Sequence, residues 1–319
     1  MKRLRDISRI EYQDNYMIEP CDRYIGWGIT KNCTFNCRYC IYSCKNTNEF
    51  STKDQLTVAT TYFNNISTDK SWIAIYGGEP LTHPHFLHAI NNYKYNVKLY
   101  TNLYRDISYL QELIASCNSK LRVLTSFHPH ITNIKQLDQK ITILLNAGAT
   151  VEVKCMFTGE DDELSFKAFE YFNSVNIPEF RILPRTIYSI LPGETEYSWY
   201  MSELFNKARK ISGKDLLFKY TFNNGTSEIH DKYDLQFNDS NINDYTRYKM
   251  LICEAGNKYI SVLDNFNIYP CCRYDEDFYN QKPLGNVLTN PYYDFKNQIC
   301  KLPFCFPPEE DFLLSRKVL

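Results

Sequence analysis

The feature that most constrains the fold is a regular alternation of short apolar strands with amphipathic helices through the middle of the chain. The pattern predicts strands at Tyr24–Thr30, Trp72–Tyr76, Val97–Thr101, Leu121–Phe127, Ala149–Phe157 and Glu179–Leu183, and helices at Lys53–Ile66, Pro84–Tyr93, Asp106–Cys117, Asn133–Asn146, Glu163–Val175 and Glu196–Ile211. Such alternation produces right-handed βαβ units around a parallel sheet. Six units are too few for a closed eight-stranded barrel, and periodicity leaves a partial barrel and a doubly wound open sheet as alternatives. In both, ligands bind at the C-terminal ends of the strands.

Cysteine usage is the second constraint. Twelve cysteines occur in 319 residues, five of them between Cys21 and Cys44 and five between Cys253 and Cys305. In a reducing compartment, clustered cysteines indicate metal or redox chemistry rather than disulfides. The sequence therefore predicts two metal-binding regions, joined by a middle that is almost free of cysteine.

The charge balance and the N-terminal residues exclude several classes of partner. The chain carries 36 basic and 37 acidic residues, which gives no long-range attraction to nucleic acid or to an anionic membrane. The first residues lead into no apolar run of the signal-peptide type, and no stretch approaches the ~18 apolar residues of a membrane span. We therefore expect a cytoplasmic protein with no nucleic-acid or membrane partner.

The first cysteine loop directly follows the first predicted strand and contains Cys33, Cys37 and Cys40. Three thiolates on a short loop can bind three irons of a 4Fe–4S cluster and leave the fourth iron without a protein ligand, whereas the ordinary pattern is four cysteines. A structural zinc site with Cys44 as its fourth ligand uses similar spacing and is the alternative.

The spacing Cys-x₃-Cys-x₂-Cys, with the aromatic Tyr39 before the last cysteine, resembles the signature of radical S-adenosylmethionine enzymes. The sequence Gly77-Gly78-Glu79-Pro80 after the next strand is similar to the GGEP motif of that family. The resemblance implies that S-adenosylmethionine chelates the open iron and that one electron, from an external donor of flavodoxin or ferredoxin type, cleaves it to methionine and a 5′-deoxyadenosyl radical. It also implies that Gly77, Gly78 and Glu79 receive the cofactor's ammonium group, to which glycine backbone and a carboxylate are suited. Tyr39 of the signature is implied to be a further cofactor-binding residue.

Weaker matches to this family follow at later strand ends. The positions at which the family binds the ribose, the carboxylate and the adenine of the cofactor are occupied here by Thr101, Asn102, Ser126, Lys154 and Leu183. A cation at Lys154 is suited to the cofactor carboxylate. His128 and His130 are candidates for facing the substrate. Because polar residues at strand ends are also commonly turns or caps, each assignment has a structural alternative.

The C-terminal cysteines follow an order of features that resembles the auxiliary-cluster extensions called SPASM and twitch domains. Cys253-Glu-Ala-Gly256 precedes a predicted hairpin, then Tyr-Pro-Cys271, Gly285-Asn286-Val287 and two further cysteines. The hairpin glycine of the family is Phe266 here, so we expect the turn to shift onto Asp264-Asn265. Too few cysteines remain for a second four-thiolate cluster, which favours the one-cluster twitch type, and a zinc ribbon is the alternative. The implied cluster ligands are Cys253, Cys271, Cys300 and Cys305.

Cys272 is left over beside a predicted ligand. In the epimerase branch of the family, the cysteine after the Tyr-Pro-Cys ligand donates hydrogen to the substrate radical, and burial as a small hydrophobe is the alternative role. The resemblance thus implies hydrogen abstraction from a carbon of a peptide, with epimerisation completed by Cys272. The alternatives are dehydrogenation or epimerisation of a small hydroxylated molecule of the aminoglycoside-precursor type, and thioether or cross-link formation in a peptide. A non-enzymatic zinc-binding module ranks last, because it leaves residues 77–80 and the six βα units unexplained.

Together, these patterns predict three regions. A partial (β/α)6 barrel covers residues 1–212, and a connector rich in Asn, Asp and Tyr covers residues 213–249. A small domain of the twitch iron–sulfur type covers residues 250–319.

Overall fold

The computed structural model describes residues 7–12, 21–37, 39–40, 49–186, 188–189, 198–199, 202–212, 217–222, 224–231, 251–271, 282–299 and 316–318. Its strands are β1 (Ile7–Tyr12), β2 (Tyr24–Thr30), β3 (Trp72–Gly77), β4 (Asn96–Thr101), β5 (Leu121–Phe127), β6 (Thr150–Phe157), β7 (Phe180–Thr186), β8 (Tyr188–Ser189), β9 (Ser198–Trp199), β10 (Leu217–Phe222), β11 (Ser227–Asp231), β12 (Leu251–Cys253), β13 (Tyr259–Val262), β14 (Asn267–Tyr269), β15 (Gly285–Asn286), β16 (Gln298–Ile299) and β17 (Arg316–Val318). Its helices are α1 (Lys53–Ile66), α2 (Phe86–Asn92), α3 (Ile107–Ser116), α4 (Ile134–Asn146), α5 (Asp162–Asn173) and α6 (Glu203–Ser212).

The chain forms two compact units. The α/β unit comprises residues 28–61 and 74–214, and the β unit comprises residues 1–27, 62–73 and 215–319. The boundaries pass through β2, α1 and β3, whose residues are divided between the two units.

Helices α3 and α4 of the α/β unit begin at residues whose side chains satisfy the free backbone N–H groups of the first turn. Asp106 and Asn133 precede α3 and α4, and each side chain accepts a hydrogen bond from an N–H of the first turn. Helix α4 ends at Asn146, and two residues later Gly148 has a φ of 82° and donates its N–H to the Leu145 carbonyl at 2.9 Å. This is the left-handed C-terminal cap that the sequence predicts, and it is confirmed.

The sheet of the α/β unit follows chain order. The C-terminal halves of β2 and β3 are followed by β4, β5, β6 and β7, and the pairs from β4 to β7 are parallel. A doubly wound sheet would require a reversal of strand order, whereas an order that never reverses is that of a partial barrel. The α/β class and the parallel sheet are thus confirmed.

Side chains alternate between the two faces of this sheet. One face is aliphatic and buried, with Leu99, Val123, Val151, Val153 and Ile182. The other face, called the polar face below, carries Lys98, Tyr100, Arg122, Ser126, Glu152, Lys154, Arg181 and Leu183. Helices α4, α5 and α6 pack on β6 and β7.

The β unit contains strands that the sequence analysis missed. Its six-stranded sheet has the order β11-β10-β1-β17-β12-β16, and its pairs are antiparallel. Strands β10 and β11 lie within residues 213–249, which the sequence analysis treated as an aperiodic connector. In the same unit, β13 pairs in parallel with the N-terminal half of β2 and forms an antiparallel hairpin with β14. That hairpin was predicted and is confirmed.

One predicted helix begins later than expected. The sequence pattern placed a helix at Glu196–Ile211, but α6 begins at Glu203, and β9 occupies Ser198–Trp199 in a pair with β8. The apolar spacing does not distinguish the strand pair from a first helical turn. Within the ranges that the structure describes, no helix has the length and apolar character needed to cross a lipid bilayer.

Candidate functional site

The cysteine loop directly follows β2. Cys33, Cys37 and Cys40 are half-buried and reduced, and the Phe35 N–H donates to the Cys33 sulfur at 3.4 Å. Burial raises the pKa of Cys33 to about 11, the Phe35 N–H opposes this, and negative charge on Glu79 and the other two cysteines adds to it. A thiol with this pKa is protonated at neutral pH, so a bound cation has to displace the proton before the sulfur can act as a ligand.

The chemistry of this donor set fits an iron–sulfur cluster. Among the described residues, no group of three Cys, His, Asp or Glu side chains is arranged to hold a metal ion. A 4Fe–4S cluster does not require three thiolates to coordinate one metal ion, because each thiolate binds a different iron of the cluster. N–H groups that point at the sulfurs, as that of Phe35 does, are among the features that tune such clusters. Cys44, the fourth ligand of the zinc alternative, lies outside the described residues.

The Gly77-Gly78-Glu79 turn lies against the backbone that leads into the cysteine loop. The Gly78 N–H donates to the Thr30 carbonyl and the Glu79 N–H to the Asn32 carbonyl, both at 2.7 Å. A Cβ on Gly77 would lie 2.2 Å from the Thr30 oxygen, and one on Gly78 would lie 2.1 Å from the Asn32 oxygen. The glycines are therefore required by a close approach within the protein itself, which sequence reasoning had ascribed to the cofactor.

Glu79 connects this turn to the end of β4. Its carboxylate is buried and accepts hydrogen bonds from the Thr101 hydroxyl at 2.7 Å, the Asn102 N–H at 2.6 Å and the Leu81 N–H at 3.0 Å. Burial raises the pKa of Glu79 to about 7, and these hydrogen bonds oppose the shift. The structure thus brings Glu79, Thr101 and Asn102 together. That Glu79 receives the cofactor's ammonium group stays a prediction.

Three other predicted cofactor contacts form a single row. Ser126, Lys154 and Leu183 are register partners on β5, β6 and β7, so they share the polar face near the C-terminal ends of these strands. Ser126 and Lys154 are half-buried and Leu183 is buried. Thr101 pairs with Thr125, one residue before Ser126, and therefore points to the opposite face. The predicted set is thus divided into a row on the polar face and a cluster around Glu79.

Sequence reasoning missed the polar face below this row. Arg181 donates through Nε to Glu152 at 2.7 Å, and both side chains are buried. The ammonium groups of Lys98 and Lys154 lie 5.1 and 5.7 Å from the ring centroid of Tyr100. Within the described residues, the buried Tyr100 hydroxyl and Glu152 Oε1 have no hydrogen-bond partner. The signal was present as charged residues alternating with aliphatic ones in the strands at 121–127, 150–157 and 180–186.

His128, the first residue after β5, packs against the cysteine loop. Its Nδ1 lies 2.6 Å from the Tyr39 hydroxyl and 3.7 Å from the Cys37 sulfur. Burial lowers the pKa of His128 to about 4, so the ring is neutral at neutral pH. A cavity of about 460 Å³ is lined by Asn36, Cys37, Tyr39, His128, His130, Ile131, Glu160 and Asp161. The cavity therefore lies where the cysteine loop meets the loops that follow β5 and β6.

The predicted auxiliary site is only partly described. Cys253 ends β12 and Cys271 is buried two residues after the end of β14, while Cys272, Cys300 and Cys305 lie outside the described residues. The hairpin turn lies at Asp264-Asn265, as expected, because the Phe266 N–H donates to the Leu263 carbonyl at 2.9 Å and closes the turn around these two residues. Phe266 follows the turn in the left-handed conformation, with a φ of 66°, so it also takes a conformation that favours glycine.

Comparison with protein-family models and with curated proteins finds no match, but several solved structures are similar. SuiB from Streptococcus suis bound to S-adenosylmethionine aligns over 86% of this chain with 13% identity and a TM-score of 0.53, and SuiB bound to its precursor peptide SuiA gives the same three values. The structure of anSMEcpe with bound AdoMet aligns over 85% with 16% identity and a TM-score of 0.51. Its complex with AdoMet and the Cp18Cys peptide has a TM-score of 0.50. This chain spans 65% of the length of SuiB and 78% of that of anSMEcpe, and at these identities the likeness concerns the fold.

Proposed function

We propose that the chain is a radical S-adenosylmethionine enzyme. The main support is the direct contact between the cysteine loop and the Gly77-Gly78-Glu79 turn. The turn at residues 77–79 is hydrogen-bonded to the backbone at residues 30–32, immediately before Cys33. The motifs are more than forty residues apart in sequence, so their contact at one edge of the sheet is not a consequence of either motif alone. This edge is where parallel α/β sheets bind ligands.

Cys33, Cys37 and Cys40 hold the 4Fe–4S cluster in this proposal. Once bound, the cluster would supply one electron for the reductive cleavage of S-adenosylmethionine to methionine and a 5′-deoxyadenosyl radical, which would abstract hydrogen from the substrate. An external donor of flavodoxin or ferredoxin type supplies the electron in turn. The protein contributes three thiols that become ligands only when a cation displaces their protons.

The polar face holds the cofactor. Lys154 provides a cation for the carboxylate of S-adenosylmethionine, and Ser126 and Leu183 flank it in the same row. The unpartnered hydroxyl of Tyr100 supports this assignment, because buried polar groups are normally paired and the centroid of its ring is 5.7 Å from Lys154 Nζ. Glu79, Thr101 and Asn102 fix the Gly77-Gly78 turn, which presents its backbone to the ammonium group.

A peptide is the proposed substrate. SuiB and anSMEcpe have been solved with peptides, and their fold is that of this chain. We further propose an auxiliary cluster held by Cys253, Cys271, Cys300 and Cys305, and a hydrogen-donor role for Cys272 in epimerisation. These finer assignments rest on the order of motifs in the sequence.

The proposal is tested by the metal content and the cofactor cleavage of the anaerobically reconstituted protein. Two 4Fe–4S clusters correspond to about eight irons per chain, with negligible zinc. Replacing Cys33, Cys37 and Cys40 together by alanine should remove about half of the iron and all formation of 5′-deoxyadenosine. Cys117→Ala is the matched control, because this cysteine follows α3 and lies outside both cysteine regions. Colourless protein that contains stoichiometric zinc would overturn the proposal.

A further inference from the structure

The hydroxyl group of Tyr100 is buried, and the fold does not use it. Within the part of the chain that the structure describes, no side chain or backbone group forms a hydrogen bond with this oxygen. Leaving a buried hydroxyl unpaired is unfavourable for folding, and phenylalanine would avoid that cost at nearly the same size. A tyrosine at position 100 therefore points to a role for its hydroxyl in binding.

Tyr100 lies on the polar face, one row below the predicted cofactor contacts. Its register partner on β5 is Leu124, which precedes Ser126 by two residues, and Ser126 pairs with Lys154. Alternate residues of a strand share a face, so Tyr100 belongs to the row directly beneath that of Ser126 and Lys154. The Lys154 ammonium group lies 5.7 Å from the centroid of the Tyr100 ring. The ring is therefore next to the cation to which the proposed function assigns the cofactor carboxylate.

The charges around the ring determine which kind of partner the hydroxyl can take. A phenol hydroxyl can both donate and accept a hydrogen bond. The ammonium groups of Lys98 and Lys154 lie 5.1 and 5.7 Å from the ring centroid, so an anionic partner is attracted and a cationic one is repelled. A carboxylate only accepts hydrogen bonds, so the Tyr100 hydroxyl would donate to it.

The carboxylate of Glu152, in the same row, is not this partner. Glu152 is separated from Tyr100 by Leu124, and at two strand spacings their backbones are about 10 Å apart. One carboxylate oxygen, Oε2, accepts from Arg181 Nε at 2.7 Å, and the other has no partner within the described residues. The fold thus keeps a donor and an acceptor apart on one face, which leaves the Tyr100 hydroxyl available to a bound molecule.

We infer that Tyr100 is a further cofactor-binding residue, whose hydroxyl donates a hydrogen bond to the carboxylate of S-adenosylmethionine beside Lys154. The inference rests on the proposed function and adds a neutral donor to the cation assigned there. A hydrogen bond to an ionised acceptor is stronger than one between neutral groups. The ring is held for this contact by Lys98 and by the Tyr76 ring, which meets it edge-on at a centroid distance of 6.5 Å and an angle of 83°.

The test measures cofactor affinity and protein stability in Tyr100→Phe, which keeps the ring and removes only the hydroxyl. The affinity of the reconstituted protein for S-adenosylmethionine, measured by titration calorimetry, should fall roughly tenfold to a hundredfold. The melting temperature of the metal-free variant should be unchanged or higher, because a buried unpaired group has been removed. Tyr171→Phe is the control, since it removes an exposed hydroxyl on α5 that bonds Asp138 at 3.1 Å, and it should leave the affinity unchanged.

Decarboxylated S-adenosylmethionine tests which part of the cofactor the hydroxyl contacts. This analogue lacks the carboxylate, so wild type and Tyr100→Phe should bind it equally, measured by competition with S-adenosylmethionine. An equal loss of affinity for both ligands would overturn the assignment to the carboxylate.

Two other results would also overturn the inference. Unchanged affinity of Tyr100→Phe for S-adenosylmethionine would mean that the hydroxyl pairs only with internal water. A lower melting temperature of this variant, or its failure to fold, would show that the hydroxyl has a structural partner. Either result leaves the proposed function intact, because the wild-type protein still binds cluster and cofactor. If the wild-type protein assembles no cluster and binds no S-adenosylmethionine, it is the proposed function that fails.

Discussion

Replacing Gly78 by alanine should detach the cysteine loop from the end of β3. The new Cβ would lie 2.1 Å from the Asn32 oxygen, 2.6 Å from the Asn32 carbonyl carbon and 2.8 Å from the Lys31 oxygen, all of them backbone atoms. To reach an ordinary contact of 3.4 Å, the Asn32 oxygen must retreat by about 1.3 Å. Gly78 does not have a positive φ, so the effect is steric rather than conformational.

The same retreat breaks the contact between the two motifs. The hydrogen bonds from Gly78 N–H to Thr30 and from Glu79 N–H to Asn32 are both 2.7 Å long and would stretch beyond bonding distance. At a net value of about 1 kcal/mol each, their loss costs about 2 kcal/mol, which is roughly thirtyfold in the population of a correctly placed loop. The rest of the α/β unit does not depend on these two bonds and should stay folded.

The assay is the iron retained by the first cysteine loop after anaerobic reconstitution and desalting, together with the far-ultraviolet circular dichroism of the same sample. Gly148→Ala is the control, since Gly148 has a φ of 82° but a Cβ there meets nothing within 4 Å. That variant should lose about 1 kcal/mol of stability through backbone strain and keep its iron. If Gly78→Ala binds as much iron as wild type, the steric argument is refuted.

Four further outcomes follow from the structure. Lys154→Ala should weaken S-adenosylmethionine binding roughly tenfold to a hundredfold while the cluster stays intact, whereas Lys167→Ala, at an exposed lysine, should leave the affinity unchanged. Titration calorimetry measures both affinities. Equal affinities of Lys154→Ala and wild type would contradict the assignment. Because burial raises the pKa of Glu79 to about 7 from 4.5, folded protein holds a proton that unfolded protein has lost, so the stability of the metal-free protein should fall as pH rises between these values. Glu79→Gln should flatten this part of the pH profile in urea denaturation, and a profile as steep as that of wild type would count against it. Phe266→Gly should be more stable than Phe266→Ala by about 1 kcal/mol, the reverse of the usual order, because φ at this position is 66°; thermal unfolding with alanine equal to or above glycine would show that the strain is absent. If Cys272 donates hydrogen, turnover in deuterated water should place one non-exchangeable deuteron on the product carbon, which mass spectrometry detects. Cys272→Ala should still cleave the cofactor but should not form the deuterated, epimerised product. Full product formation by this variant would show that Cys272 is not the hydrogen donor.

Local sequence patterns were sufficient to predict most of the strands and helices of the α/β unit. Strands β2 and β5 and helix α1 have the predicted bounds, and Asp106 and Asn133, at which the sequence pattern begins two further helices, cap α3 and α4. These elements are defined by contacts within a few residues, namely apolar periodicity and capping side chains. The strands of the β unit are different, because β1 pairs with β10 and β17, whose residues lie far away in sequence. No local pattern reports such a pairing.

For the candidate site, motif spacing singled out the cysteine loop and the Gly77–Glu79 turn. The strand register adds that Ser126, Lys154 and Leu183 share a row, which the sequence analysis did not predict. The motifs do not reveal which groups are the partners in each hydrogen bond. Thr101 has the residue type expected of a ribose ligand, yet its hydroxyl donates to Glu79 and accepts from the Leu103 N–H at 2.9 Å. Strand parity would have separated Thr101 from the row, since it is one residue out of phase with Tyr100.

The contact between residues 30–32 and 77–79 is made by backbone groups. Its two hydrogen bonds join backbone N–H and carbonyl groups, and the close approach requires that Gly77 and Gly78 carry no Cβ. The polar face is the opposite case, because Arg181, Glu152 and Tyr100 act through their side chains. It follows that the turn beside the cysteine loop is held in place largely by backbone hydrogen bonds, whereas the proposed cofactor contacts depend on side chains of β4 to β7.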